Sequence, residues 1–347
     1  MQKVRAEINL KNIQYNAERF CALHQTRLCA VVKANAYGHG AEEVVNALSG
    51  IADCFAVALV EEAIAIRAAA CGKKILVFTP PTDEEEGFLL ASNGLIATIP
   101  DLSTARQLSA LCKQYQLPLE VHLKMNTGMN RYGMNASMLG KVCKFLQADP
   151  FVRVTGIYSH LYSTNPVACE KQRSIFAEQV TVCKRYFPTV IAHLGGTYGA
   201  MLGEKFAFDM LRIGIGLYGY LPCKEPTVTQ TLHLRKGMIV YAKAVATRKY
   251  SFGGIGYGSV SANKGERLTI YRFGYADGVL RRKQNGADGW QKNTNRACMD
   301  VSIRRGTVLR GRWVPILTDA EETARRTGTI AYEVLCAATR RAEFIYK

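Results

Sequence analysis

No two cysteines in this chain stand in a C-x-x-C spacing, and the eleven present are scattered from Cys21 to Cys336. That absence excludes the clustered-thiol zinc sites, and no metal centre is expected. The odd count and loose spacing also argue against a disulfide framework, so the thiols read as free and the compartment as a reducing cytoplasm. No window holds the roughly 20 uninterrupted apolar residues that span a bilayer. The opening stretch MQKVRAEINLKN scatters charges where a signal peptide needs an apolar core, so neither export nor a membrane is expected. Acidic residues are scarce as well, 28 against 45 lysines and arginines, for a formal net charge of +17. Low-complexity tracts are missing.

What is there describes an ordinary folded protein. Apolar residues make up 48% and charged residues 21%, far from the composition of a disordered chain. The basic excess is dispersed, with short clusters at Arg281-Arg282-Lys283, Arg304-Arg305 and Arg340-Arg341 and no interleaved aromatic ladder. A solvated basic surface accounts for it, and a nucleic-acid partner is not expected.

From residue 5 to about 220, short apolar runs alternate with stretches of helical period, the pattern of repeated βα units. Eight runs qualify as strands: 28–34, 54–59, 74–78, 94–99, 119–125, 154–160, 190–195 and 209–219. Eight units in about 220 residues fit a (β/α)8 TIM-type barrel better than an open doubly wound sheet. After the connection LPCKEPTVTQ the character changes to strand-like segments at 238–250, 267–276 and 307–317, separated by glycine turns. The expected organisation is an α/β barrel over 1–228 and a smaller, mostly β C-terminal domain over 229–347.

In a barrel, the C-terminal ends of the strands share one mouth. That rule selects Lys33, Lys124, Arg131, His160, His193 and Arg212. Taken singly each has an ordinary structural explanation; their joint placement on different strands is what points to a site. Lys33 closes the apolar run AVVKANAYGHG. A lysine there must be neutral, paired or covalently used. Burial lowers an amine's pKa and makes it a nucleophile toward aldehydes, the chemistry that pyridoxal phosphate exploits. GGTYG at 195–199 and IGIG at 213–216 follow two further strand ends, where backbone N–H groups can approach phosphate oxygens.

AVVKANAYGHG resembles the cofactor-lysine segment of the alanine racemases, fold-type III pyridoxal-phosphate enzymes. The resemblance continues in order through LKMNTGMNRYG (123–133), YSHLYST (158–164), LRIGIGLYG (211–219), GYGS (256–259), FGYADG (273–278), RACMD (296–300) and IAYEVLC (330–336). It implies that Lys33 holds pyridoxal 5'-phosphate covalently and is one of two bases. Tyr257, from the second domain of a partner subunit, would be the base on the opposite face, in a homodimer with shared active sites. Arg212 would face the pyridine nitrogen, with His160 and His193 hydrogen-bonded around it. Tyr37, Thr197, Gly214, Ile215 and Tyr332 would receive the phosphate. Arg131 and the Met299 N–H would hold the carboxylate of a small amino-acid substrate, and Lys124, carbamylated in some members, would orient Arg131. Tyr275 and Asp300 would support the site.

Four positions depart from the commonest family pattern: Gly196-Thr197 for Asn-Ser, Asn126 and Asn165 for aspartates, and Val301 for a glutamine. The implied reaction is interconversion of L- and D-alanine, supplying D-alanine for peptidoglycan, and Tyr332 favours alanine over serine. The alternatives are a serine or broad-specificity racemase, which the departures could produce, and a non-catalytic pyridoxal-phosphate carrier, which would resemble the barrel alone.

Overall fold

A computed structural model of the chain describes residues 4–223, 231–257, 261–278 and 298–347. The basic cluster at 281–283 and parts of three segments singled out above, at 224–230, 258–259 and 296–297, lie outside the described residues. The chain divides into two compact units. One comprises 13–36 and 41–235; the other comprises 1–12, 37–40 and 236–347.

The larger unit is built on eight parallel strands, β2 (Arg27–Val31), β3 (Cys54–Val57), β4 (Lys74–Val77), β5 (Ile96–Ile99), β6 (Leu119–Lys124), β7 (Val152–Tyr158), β8 (Ile191–His193) and β9 (Met210–Ile213). Neighbours pair in sequence order from β2 to β8, and β9 lies against β2. The remaining edge pair is brought together by Arg212 N–H to Gly195 O and Asp209 N–H to Ala192 O, each at 2.9 Å. The Asp209 carboxylate accepts the return bond from Ala192 N–H at 2.7 Å. This is the expected barrel. Its strands are buried almost end to end, as a sheet covered on both faces requires.

Helix starts are fixed locally. Asp83, Asp101, Asn135 and Asn165 each accept the N–H three residues on, satisfying a donor that the first helical turn leaves open. The longest helix, Pro166–Tyr186, adds proline in its first turn, where no N–H is needed. The run expected as strand over 209–219 stops at Ile213. Gly214 leaves the extended conformation at φ −108° and ψ −98°, and Ile215–Tyr218 continue as a 3-10 turn.

The second unit carries a mostly antiparallel sheet in the order β12 (Ser302–Arg305), β11 (Arg267–Tyr271), β10 (Met238–Lys249), β1 (Val4–Ile8), β14 (Glu343–Tyr346), with β13 (Trp313–Leu317) also paired to β10. In β1 buried and half-buried residues alternate, the signature of a sheet with one covered face. Two helices not expected from the sequence, Ala320–Thr327 and Ala331–Ala338, join this unit, separated by Gly328 in the left-handed region at φ 68°.

The segment after β2 has an unusual backbone. Ala34, Asn35, Ala36 and Tyr37 all lie at φ between 52° and 54°, and Gly38 follows at 79°, so Lys33–Gly38 form one left-handed helical turn. For residues with a Cβ this costs about 1–2 kcal/mol each. Strain of that size persists only where the surroundings hold it, characteristically at functional positions. Gly38 itself has no room for a side chain, since a Cβ would lie 2.6 Å from Leu335 O. Replacing the exposed Ala34 by glycine should raise stability by about 1 kcal/mol, whereas Ala34→Val should lower it. Thermal unfolding of the two variants checks this, and equal midpoints would show that the turn is unstrained.

Candidate active site

Within the barrel unit, the side chain of Arg212 organises the mouth. It is 4% exposed and leaves β9 pointing among three backbone carbonyls. Its Nη1 donates to His193 O and His193 Nδ1, both at 2.8 Å. Its Nη2 donates to Ser159 O at 2.7 Å and Leu194 O at 3.0 Å, with His160 Nδ1 at 3.3 Å. All four Nη hydrogens are therefore committed. The Nε–H is the one guanidinium donor with no acceptor among the described residues. Burial lowers the arginine pKa to about 10, which still leaves it charged at neutral pH.

That cation fixes the tautomers behind it. Because Arg212 donates to His193 Nδ1, the imidazole proton sits on Nε2 and is donated to His122 Nδ1 at 2.9 Å. His193 also stacks on Tyr158, with ring centroids 5.0 Å apart and planes within 4°. Thr98 Oγ1 gives its only proton to Val77 O at 2.7 Å, so Tyr158 must donate its own to Thr98 at 2.8 Å. Burial raises the Tyr158 phenol to about 12. Arg212 and Lys124 both lie over this ring, at 5.3 Å and 5.2 Å from its centroid.

Lys124, at the end of β6, is 4% exposed and donates to Met125 O at 2.8 Å. Burial first, then the positive charges of Arg212 and Arg131, lower its amine to about 7. His160 is held to about 3 by burial and by the fields of Arg212, Lys124, Arg131 and Lys33. The barrel thus brings together all six residues chosen by the strand-end rule. Arg131 is exposed, and Lys33 is half-buried at the start of the left-handed turn. Thr197 receives Gly216 N–H on its hydroxyl at 3.3 Å, tying the turns after β8 and β9 together beside Gly214 and Ile215.

The second unit carries the rest. The rings of Tyr37 and Tyr332 lie 5.9 Å apart. Burial raises the Tyr332 phenol to about 12. Segments 273–278 and 298–300 pack backbone to backbone through Tyr275 N–H to Cys298 O and Ala276 N–H to Met299 O, each 3.0 Å. Gly274 makes this possible, because a Cβ there would sit 2.2 Å from Met299 O. Asp300 pairs with Arg341 at 2.6 Å. Tyr257 and Met299 are 65% and 52% exposed.

The sequence matches the family profile of the alanine racemase N-terminal domain over residues 8–222 and that of the C-terminal domain over 238–346. The chain belongs to the alanine racemase family. It is 31% identical over 369 aligned positions to an alanine racemase of Ligilactobacillus salivarius, covering 100% of this chain and 98% of that one. It superposes on the biosynthetic alanine racemase of Pseudomonas aeruginosa with a TM-score of 0.86 at 28% identity, covering both chains fully. The alanine racemase of Bartonella henselae, solved with covalently bound pyridoxal phosphate, gives 0.84 at 26%, again with full coverage of both chains.

Two departures from the common alanine racemase pattern have structural occupations here. Asn126 Oδ1 accepts Gly128 N–H at 3.0 Å and Asn130 N–H at 3.1 Å, shaping the loop that presents Arg131. Asn165 caps the 166–186 helix. Gly196 leaves only ordinary contact distance, 3.5 Å, between a would-be Cβ and Arg212 O. The sequence reading missed Tyr158, His122 and Thr98. Tyr158 was visible in YSHLYST and His122 two residues before Lys124, but nothing in either short run says that the first ring lies under Arg212 or that the second meets His193.

His122 and His193 are fully buried, and burial foremost depresses both far below the ordinary histidine value of about 6.5. The unfolded chain takes up protons at these positions as pH falls below that value, and the native state does not. Stability should therefore fall as pH drops from about 6.5 to 5, by up to roughly 4 kcal/mol per pH unit for three protons, since His160 is held to about 3 as well. Urea unfolding at a series of pH values checks this; a flat profile over that window would contradict three neutral imidazoles.

Proposed function

We propose that this chain interconverts L- and D-alanine with pyridoxal 5'-phosphate, Lys33 and Tyr257 serving as bases on opposite faces. The observation that carries the reading is the Arg212 guanidinium, with its Nη donors spent on protein and its Nε–H left over. That donor suits a ring nitrogen that stays unprotonated, since an arginine can hold such an atom but does not readily give its proton away. The Thr197 hydroxyl and the Gly214-Ile215 backbone suit a phosphate, and the lysine at the strand end suits an aldehyde. The residues present therefore fit the cofactor. When bound, pyridoxal phosphate supplies an acceptor for the electrons left behind by an α-hydrogen.

The protein's part is to place protons. Lys33 removes or returns the α-proton on its own face, and the Tyr257 phenol does so on the other; two groups on opposite sides are the simplest way to invert Cα. Arg131 and Met299 N–H hold the substrate carboxylate. Lys124, near half-neutral at pH 7, is in the form that can add carbon dioxide, forming an N–C bond and releasing one proton; the carbamate would orient Arg131. His160 and His193 stay neutral and support Arg212. Tyr37, Thr197, Gly214, Ile215 and Tyr332 receive the phosphate, while Tyr275 and Asp300 brace the 298–300 segment.

The exposure of Tyr257 and Met299 supports their delivery by the C-terminal domain to a second copy of the chain, in a homodimer with shared sites. All eleven cysteines are free thiols, which supports a cytoplasmic enzyme making D-alanine for peptidoglycan. No helix among the described residues is long and apolar enough to cross a membrane.

Lys33→Ala should lose racemisation and the visible absorbance of bound cofactor. Borohydride reduction of the wild-type holoenzyme should label Lys33, and label on another lysine would overturn the assignment. Tyr257→Phe should impair abstraction from the L enantiomer most, read by α-hydrogen exchange in deuterated water. Equal loss from both enantiomers would contradict one base per face. Mixing Lys33→Ala with Tyr257→Phe should restore part of the racemisation through heterodimers. A substrate panel in which alanine is among the slowest amino acids would displace alanine as the substrate.

A further inference from the structure

A buried polar chain leads away from the mouth to the 166–186 helix, and its hydrogens can be assigned one by one. Ser159 Oγ must donate to Met125 O, at 2.9 Å, because a carbonyl only accepts. Thr127 Oγ1 then donates to Ser159 Oγ at 2.8 Å. Gln172 Nε2 donates one hydrogen to Thr127 Oγ1 at 2.9 Å and the other to His160 O at 3.1 Å. Its Oε1 accepts Tyr162 N–H at 3.0 Å. The backbone groups at both ends fix the amide orientation, and no member has a proton to spare for transfer.

Thr127, Ser159 and Gln172 are 5%, 1% and 1% exposed. The chain ends on Met125 O, the same carbonyl that accepts Lys124 Nζ, and Thr127 opens the loop that carries Arg131. His160 O and Tyr162 N–H belong to the neighbouring loop. One amide on a helix outside the mouth therefore holds both loops in register. We infer that Gln172 is a positioning residue for substrate binding, acting through Thr127 and Ser159 on the Arg131 loop. The inference rests on the reading of Arg131 as the carboxylate ligand.

The test is steady-state kinetics on L-alanine with the holoenzyme carrying Gln172→Leu, Thr127→Val, both together, or Arg131→Lys. Gln172→Leu should raise KM about tenfold, the scale of the one buried hydrogen bond that ties it to Thr127, with kcat changed less than threefold. Thr127→Val breaks the same chain, so its effect should be similar and the double variant no worse than either single one. Amide hydrogen exchange on the cofactor-free protein gives a second readout, with Tyr162 N–H losing protection in Gln172→Leu. An unchanged KM in both single variants, additive losses, or retained Tyr162 protection would overturn the inference. Should Gln172→Leu fail to fold, Thr127→Val alone decides through KM. A KM untouched by Arg131→Lys but raised by Gln172→Leu would instead overturn the Arg131 reading and keep the clamp.

Discussion

A permanent cation inside the barrel mouth is the constraint around which everything else is arranged. Arg212 cannot shed its charge at neutral pH, so the fold must either neutralise it or surround it with dipoles. It does the second: three carbonyls and the lone pair of a neutral imidazole take the Nη hydrogens, and no carboxylate approaches among the hydrogen bonds described. The histidines must then remain uncharged, which burial and the nearby cations enforce. The tautomer of His193, the protonated phenol of Tyr158 that donates to Thr98 and the depressed amine of Lys124 all belong to the same balance of positive charge against desolvation.

The left-handed turn after β2 is the second unusual investment. Four consecutive residues with Cβ atoms at positive φ carry strain that a plain βα turn would avoid. The turn begins at Lys33, and Tyr37 near its far end lies against Tyr332. The proposed racemisation from two faces needs groups that do not drift, and both the strain and the buried polar chains favour rigid placement.

Much of this was legible in the residues. Apolar runs of five to eleven residues separated by helical stretches announced eight parallel strands, because burial on both faces leaves no alternation to obscure them. The strand-end rule chose Lys33, Lys124, Arg131, His160, His193 and Arg212, and the barrel gathers them. Other features depend on long-range pairing and left no local trace. Val4–Ile8 alternates like any half-buried strand, and nothing in it says that its partners are residues 238–242 and 343–346. Gln172 looks like one more polar residue on a long helix; only the loops packed against it reveal its three hydrogen bonds. Gly214 read as part of a strand because apolar residues continue on both sides of it, whereas its backbone angles end the extended run.

The account stands or falls on the protonation of His193. Nitrogen-15 NMR of the histidine rings reports it directly. The account predicts an unprotonated Nδ1 and a protonated Nε2 for His193, unchanged from pH 8 down to about pH 5. A His193 ring that takes up a proton near pH 6.5, or carries its proton on Nδ1, would contradict the arrangement of Arg212 on which the proposed chemistry depends.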